Sequence, residues 1–190
     1  MIVFALLFIA VSGLFTWLTM LFLALTKPVP TEGGVYTEGI VGEPMHINPI
    51  LSQSTEADAD IVQLVYSSLF SYDDMGKIRP SLAEGYELLE EGKKYVVKLR
   101  PGVKWHDGQN LTADDVLFTF RTIQDPSYRS PLRANWQGVE VSKEDDLTVV
   151  FSLKKAYFDF LENLTVGIVP KHVWDGMAPE KFSLTDVNLN

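Results

Sequence analysis

Along this chain the spacing of apolar residues changes character several times, and each change predicts an element. From Met1 to Thr26 Leu, Phe, Ile, Val, Met and Trp17 dominate, and no Asp, Glu, Lys, Arg or His interrupts them. As a helix rising about 1.5 Å per residue, this stretch is long enough to cross a hydrocarbon core of about 30 Å. "KPVPTEGG", Lys27 to Gly34, then reads as a short extended linker. Val35 to Val41 is predicted as a first strand. In "GEPMHINPILSQST" Pro44 and Pro49 forbid regular structure and imply a shaped loop.

Helical spacing begins near Thr55, where Thr55 can cap and Asp58 stands three positions on, as in a capping box. Ile61, Val62, Val65 and Leu69 would form the apolar stripe of that helix. "SYDDMGKIRP" is a turn-rich connection. The period then drops to two: Tyr95, Val97 and Leu99 share one face of "YVVKLR", and Leu147, Val149, Phe151 and Leu153 share one face of "LTVVFSL". Tyr86 to Leu89, "EEGKK" and Tyr95 predict a hairpin closed around Gly92. Between these strands a helix opens at Thr112, with Asp115 at the reciprocal cap position and Val116, Leu117, Phe120 and Ile123 facing inward. The order of strand, helix, hairpin, helix, strand is that of an α/β or α+β unit.

The chain has 190 residues, of which 46% are hydrophobic and 22% charged. That composition suits one ordinary globular domain or part of a larger one. Every charged residue lies after Thr26, so the formal net charge of −9 belongs to the downstream part. An acidic surface disfavours nucleic acid and anionic lipid, which reward clustered Lys and Arg. No cysteine is present, which removes disulfides, thiol catalysis and lipidation of a cysteine. The long apolar run passes into Lys27-Pro28-Val29-Pro30 without an A-x-A pattern, so an uncleaved anchor is expected over a cleaved signal.

"RPGVKWHDGQNLTADDV", Arg100 to Val116, offers candidate chemistry in Trp105-His106-Asp107. Adjacent residues of an extended segment point to opposite sides, so His106 and Asp107 do not converge on one substrate or metal. His46 and His172 are distant in sequence, and nothing like H-E-x-x-H is present. A structural joint is expected instead: Asp107-Gly108 turns, Thr112 caps the next helix, Trp105 packs beneath both, and His106 faces outward. Glu43, His46 and Asp60 follow no metal-ligand spacing. Asn110-Leu-Thr and Asn163-Leu-Thr match the three-residue glycosylation pattern, which is weak.

The same stretch carries a resemblance. "LAEGYELLEEGKKYVVKLRPGVKWHDGQNLTADDVLFTF", Leu82 to Phe120, resembles the signature of the family 5 extracellular solute-binding proteins, the peptide and nickel receptors of ABC importers. Its parts are an A-E-x-[YW] start, a hairpin ending in L-R-x-G-x-K-W-x-D-G, and a T-A-x-D-V helix. Asn110 stands where the family often has proline. "EPMHINPI", "LVYSSLFSYD" and "IVPKHVW" are similar to further family segments and extend the match from about Val35 to the end.

The resemblance implies an α/β, periplasmic-binding-protein-like (type II) fold of two lobes, with ligand held between them and a membrane permease as partner. Residues 35–190 would be the amino-terminal part of the solute-binding domain, with about 52–160 forming a small domain inserted in the first lobe. The chain stops at "TDVNLN", where relatives would continue, so an amino-terminal fragment is expected. By comparison with peptide-binding relatives, Gln53, Ser54 and Thr55 would touch the ligand main chain as an added strand does. Leu132 stands where relatives carry an aromatic after Ser-Pro, giving a plainer apolar wall, and Trp136 is a possible substitute.

The expected function is therefore an extracytoplasmic, membrane-tethered receptor that binds peptides and delivers them to ABC permease subunits. It would have no enzymatic activity, no cofactor, no metal and no nucleic-acid partner. A nickel, opine or oligosaccharide receptor on the same scaffold stays open, as does a membrane-anchored sensor or surface hydrolase.

Overall fold

The structure is a computed structural model that describes residues 2–26, 33–35, 37–52 and 55–182. It divides into two compact units, Met1–Gly39 and Ile40–Asn190.

The first unit is built on one helix, α1 (Ile2–Leu25). Its 18-residue window Leu7–Ala24 has a mean hydropathy of 2.1 and none of it is buried. The few polar side chains are satisfied within the helix. Thr16 Oγ1 donates to Ser12 O at 2.7 Å, Thr19 Oγ1 to Phe15 O at 2.7 Å, and Ser12 Oγ to Phe8 O at 2.9 Å. No hydroxyl is left to demand water, which is what a helix in hydrocarbon requires.

The strand expected at Val35 to Val41 is absent among the described residues. The described residues there are irregular, and Val35 and Val41 are 96% and 97% exposed. None of the described strands pairs with this segment.

Helix α2 (Glu56–Val65) follows, capped by Thr55, whose Oγ1 accepts from Asp58 N at 3.0 Å. The capping box expected with Asp58 is only half made, because the Asp58 carboxylate turns to the preceding loop. The helix ends at Tyr66, where the backbone becomes extended. Leu69, expected on its stripe, is instead fully buried just before a strand. Val65 is 47% exposed, so Ala57, Asp58 and Val62 make the buried face.

The connection "SYDDMGKIRP" is a hairpin of β1 (Phe70–Tyr72) and β2 (Ile78–Pro80). Asp73 makes its turn, its Oδ1 accepting from Met75 N and Lys77 N at 2.9 Å each.

The centre is a four-stranded antiparallel sheet of β3 (Ala83–Leu89), β4 (Lys94–Leu99), β5 (Val139–Asp145) and β6 (Thr148–Leu153), in the order β3-β4-β6-β5. The β3–β4 hairpin closes as predicted: Glu90, Glu91 and Gly92 all have positive φ, a sharp reversal that only glycine adopts at no steric cost. Strand β5 was not foreseen, although Val139 and Val141 alternate inward with exposed Glu140 and Ser142.

Across one face of the sheet lies α3 (Ala113–Gln124). It follows a capping box of Thr112 and Asp115, and Val116, Phe120 and Ile123 are completely buried. Tyr95, Val97, Leu99, Val149 and Phe151 supply the sheet side of this core at 4% exposure or less. The chain returns through short helices α4 (Phe160–Asn163), α5 (Lys171–Trp174) and α6 (Pro179–Phe182).

α3 also anchors that return. Thr119 Oγ1 accepts from Val169 N at 3.1 Å, and Asp115 Oδ1 accepts from Lys171 N at 2.8 Å.

Candidate ligand-binding loop

The loop from Gly42 to Ser52 is held in shape by residues distant in sequence. Within it Asn48 makes the turn: its Oδ1 accepts from Ile50 N at 2.9 Å and its carbonyl accepts from Leu51 N at 3.0 Å. Ile50 and Leu51 enter the core. From one side Asp58 Oδ1 accepts Met45 N at 2.6 Å and His46 N at 3.1 Å. A carboxylate receiving backbone N–H groups makes the stronger, charge-assisted kind of bond. From the other side Ser130 Oγ donates to Ile50 O at 2.7 Å across 80 residues of chain. Tyr66 Oη reaches Ile47 O at 3.3 Å, and burial pushes that phenol up, keeping it a neutral donor.

Beneath the loop sits Gly167, bridged to Ser68. A Cβ on Gly167 would lie 2.9 Å from Pro49 Cγ and 2.9 Å from Tyr66 Cβ, too close for any other residue without displacement of the loop. Beside this contact runs a groove of about 350 Å³, whose lining includes Tyr66, Ser67, Ser68, Ser71, Ser81 and Thr165. None of the residues lining the groove is ionisable at neutral pH; hydroxyls and an amide provide its polarity. These serines did not stand out in sequence, where "YSSLF" reads only as the end of a helix. Folding back the segment Thr165 to Ile168, with Ile168 N donating to Ser67 O at 3.0 Å, is what groups them.

The described members of the predicted contact set have different surroundings. Gln53 and Ser54 lie outside the described residues. Thr55 is half-buried at the loop's end and caps α2. Leu132 and Trp136 are core residues at 4% and 1% exposure. The Trp136 indole stacks on Phe120 with centroids 4.1 Å apart and meets Phe160 edge-on at 5.9 Å, which leaves it no open face. These two side chains underpin the segment that begins at Ser130 and holds Ile50, and they do not line an open surface.

Trp105-His106-Asp107 forms the expected turn. Trp105 N donates to Gln109 O at 2.8 Å and Gly108 N to Trp105 O at 2.9 Å. Trp105 is only partly buried against the core, and His106 is exposed. What sequence distance concealed is that His172 Nε2 lies 2.7 Å from Asp107 Oδ2. The Asp107 carboxyl is held below the usual carboxylate range, first by the Gln109 backbone N–H and then by His172. The pair joins the turn to α5 and has no nucleophile in contact with it among the described bonds.

Near the loop, His46 Nδ1 and Asp58 Oδ2 are buried without a partner. Glu43 and Asp60 are exposed. Among the described residues no group of three or more His, Cys, Asp or Glu is placed to hold a metal ion.

Residues 77–184 match the model of the bacterial extracellular solute-binding proteins, family 5 Middle. The oligopeptide-binding protein AppA of Bacillus subtilis is 36% identical over 147 residues, covering 76% of this chain and 27% of that protein. Among solved structures, Bacillus subtilis AppA in complex with a nonapeptide superposes with a TM-score of 0.73 at 33% identity, over 78% of this chain and 30% of that one. NikZ of Campylobacter jejuni in complex with Ni(L-His) superposes at 0.71 and 30% identity, over 78% and 29%. The chain thus spans under a third of the length of these relatives.

Proposed function

This chain belongs to the bacterial extracellular solute-binding proteins of family 5, with their type II periplasmic-binding-protein-like fold, and from that premise we propose that it serves as the extracytoplasmic receptor of an ABC importer. Its ligand is a peptide, handed to permease subunits in the membrane. It binds and does not catalyse. Residues of about 52–160 form the small domain inserted in the first lobe: the sheet and α3 fall wholly within them. α1 stays attached as a single-pass anchor and the acidic domain faces outward.

The observation that carries this reading is the loop Gly42–Ser52, clamped by Asp58 and Ser130 beside a groove of neutral hydroxyl groups. Such a site suits a ligand recognised through its main chain, whose N–H and C=O groups repeat whatever the side chains are. Gln53, Ser54 and Thr55 are the proposed contacts, while Leu132 and Trp136 act from behind by fixing the segment that holds Ile50. A peptide-binding relative of known structure with 33% identity favours peptide over metal chelate. The neighbouring Ni(L-His) complex makes a nickel chelate the second reading.

The test is calorimetric titration of the purified protein with peptides of several lengths and with Ni(L-His). Peptide binding that tolerates side-chain changes but not N-methylation of the backbone supports the proposal. Binding of Ni(L-His) with no peptide affinity would replace it.

A further inference from the structure

Away from the candidate loop, between the β3–β4 hairpin and the segment leading into α4, lies a cavity of about 490 Å³ whose walls include Tyr86, Leu88, Tyr95, Tyr157, Phe158 and Leu161. It shares no lining residue with the groove beside the loop. Several of its apolar side chains are open to solvent. Phe158 is 97% exposed, Leu88 50%, Tyr157 43% and Tyr86 42%. The rings are nevertheless set in place: Tyr86 stacks on Tyr95 at 5.8 Å, Tyr95 packs on Phe160 at 4.8 Å, and Tyr157 meets Phe160 edge-on at 5.7 Å. Tyr86 and Tyr157 are thus held in place beside a mainly apolar cavity of a size that takes a small molecule, with Phe158 projecting at its rim.

The charges around it decide which molecule. Glu91, Asp159 and Glu162 also line the cavity, and none of them forms an ion pair among the described residues. No Lys or Arg lines it. Lys93, Lys94, Lys154 and Lys155 are near in sequence but absent from the walls; the Lys154 stem instead lies 3.5 Å from where a Gly138 Cβ would sit. An anion would be repelled here, and a neutral apolar guest would leave the carboxylates without a counter-charge. A cation gains twice, from the carboxylates and from the ring faces.

We propose that this cavity is a second binding site, for a small organic cation: an ammonium group on an apolar body, seated against the exposed Tyr86, Tyr157 and Phe158 rings with its charge toward Glu91, Asp159 and Glu162. The occupant is a free small molecule. Nothing in the site needs the peptide loop, so the two sites bind independently.

The experiment uses the purified protein and benzyltrimethylammonium as probe, with its neutral carbon isostere neopentylbenzene and with phenylacetate as comparators, followed by saturation-transfer NMR and titration. The expected result is binding of the cation at least tenfold tighter than either comparator and weakening with added salt. Phe158→Ala and Tyr157→Ala should each weaken it about tenfold, and Asp159→Asn with Glu162→Gln should remove most of the preference for charge. Because Phe158 is almost wholly exposed, Phe158→Ala leaves the fold intact, which circular dichroism checks. Equal affinity for cation and isostere, indifference to these substitutions, or displacement of the cation by peptide would each overturn the proposal. Failure of peptide binding alone would leave it standing.

Discussion

Asp107 and His172 stand 65 positions apart and meet at 2.7 Å, and their meeting has a pH consequence. The Asp107 carboxyl is held below its ordinary range, chiefly by the Gln109 N–H and then by His172. A carboxyl lowered by folding contributes stability that is present above its unfolded pKa and is lost as pH falls through the folded one. Asp73, Asp114, Asp125 and Asp145 are lowered too, each by hydrogen bonds to its charged form. Asp107→Asn should therefore flatten, without abolishing, the loss of stability on acidification, and urea midpoints measured from pH 6 down to pH 3 check this. Trp136, Trp105 and His106 also separate by burial. Trp136→Ala empties a closed site and should cost about 3 to 5 kcal/mol. Trp105→Ala should cost about 2 kcal/mol, because Trp105 is only partly enclosed. His106→Ala should be silent in both unfolding free energy and ligand affinity, since the ring is exposed.

Two helices carry an aspartate in the third helical position, and the fold uses them alike. In α3 the Asp115 carboxylate accepts Thr112 N at 2.9 Å with one oxygen and Lys171 N at 2.8 Å with the other. In α2 Asp58 holds Met45 and His46 from the loop. Capping residues thus double as clamps on distant backbone. Thr112→Ala should cost about 1 kcal/mol. Asp115→Ala strips the same cap and also orphans the Lys171 N–H, so about 2 to 4 kcal/mol is expected. Chemical denaturation of both variants, with Asp115→Asn as the conservative control, distinguishes a cap from a cap joined to a clamp.

At the scale of the whole molecule, the loop, the neutral groove and the returning segment converge on Gly167. Gly167→Ala would force a methyl to within 2.9 Å of Pro49 and Tyr66. The overpacking should cost about 1 to 3 kcal/mol and displace the loop, so ligand affinity should fall further than stability alone accounts for. Titration at a temperature where the variant stays folded is the check. α1 makes a separate claim on the molecule as a whole. Its apolar length and internally bonded hydroxyls predict that the protein resists carbonate extraction from membranes, whereas a soluble mature form starting near Thr31 would show the helix to be a cleaved signal.

Much of this was legible in the residues themselves, wherever a short-range rule acted alone. An uninterrupted apolar run means a long helix, period two in "YVVKLR" means a strand, and Thr112 with Asp115 means a helix start, because each depends on neighbours within a few positions. The family resemblance of Leu82 to Phe120 was equally readable, as the match over residues 77–184 bears out. The rest was settled by partners that the order of the chain does not reveal. The described residues of Val35 to Val41 form no strand, because they pair with no described strand; Val139 to Asp145 forms one because β6 offers it. Asp58 looked like half of a box and became the clamp of the loop, since Met45 and His46 N–H groups arrive there only after the chain folds back. Trp136 went to the core because Phe120, Phe151 and Phe160 converge around it. Burial and long-range hydrogen bonding belong to pairs of residues far apart in sequence, so only the tertiary structure decides them.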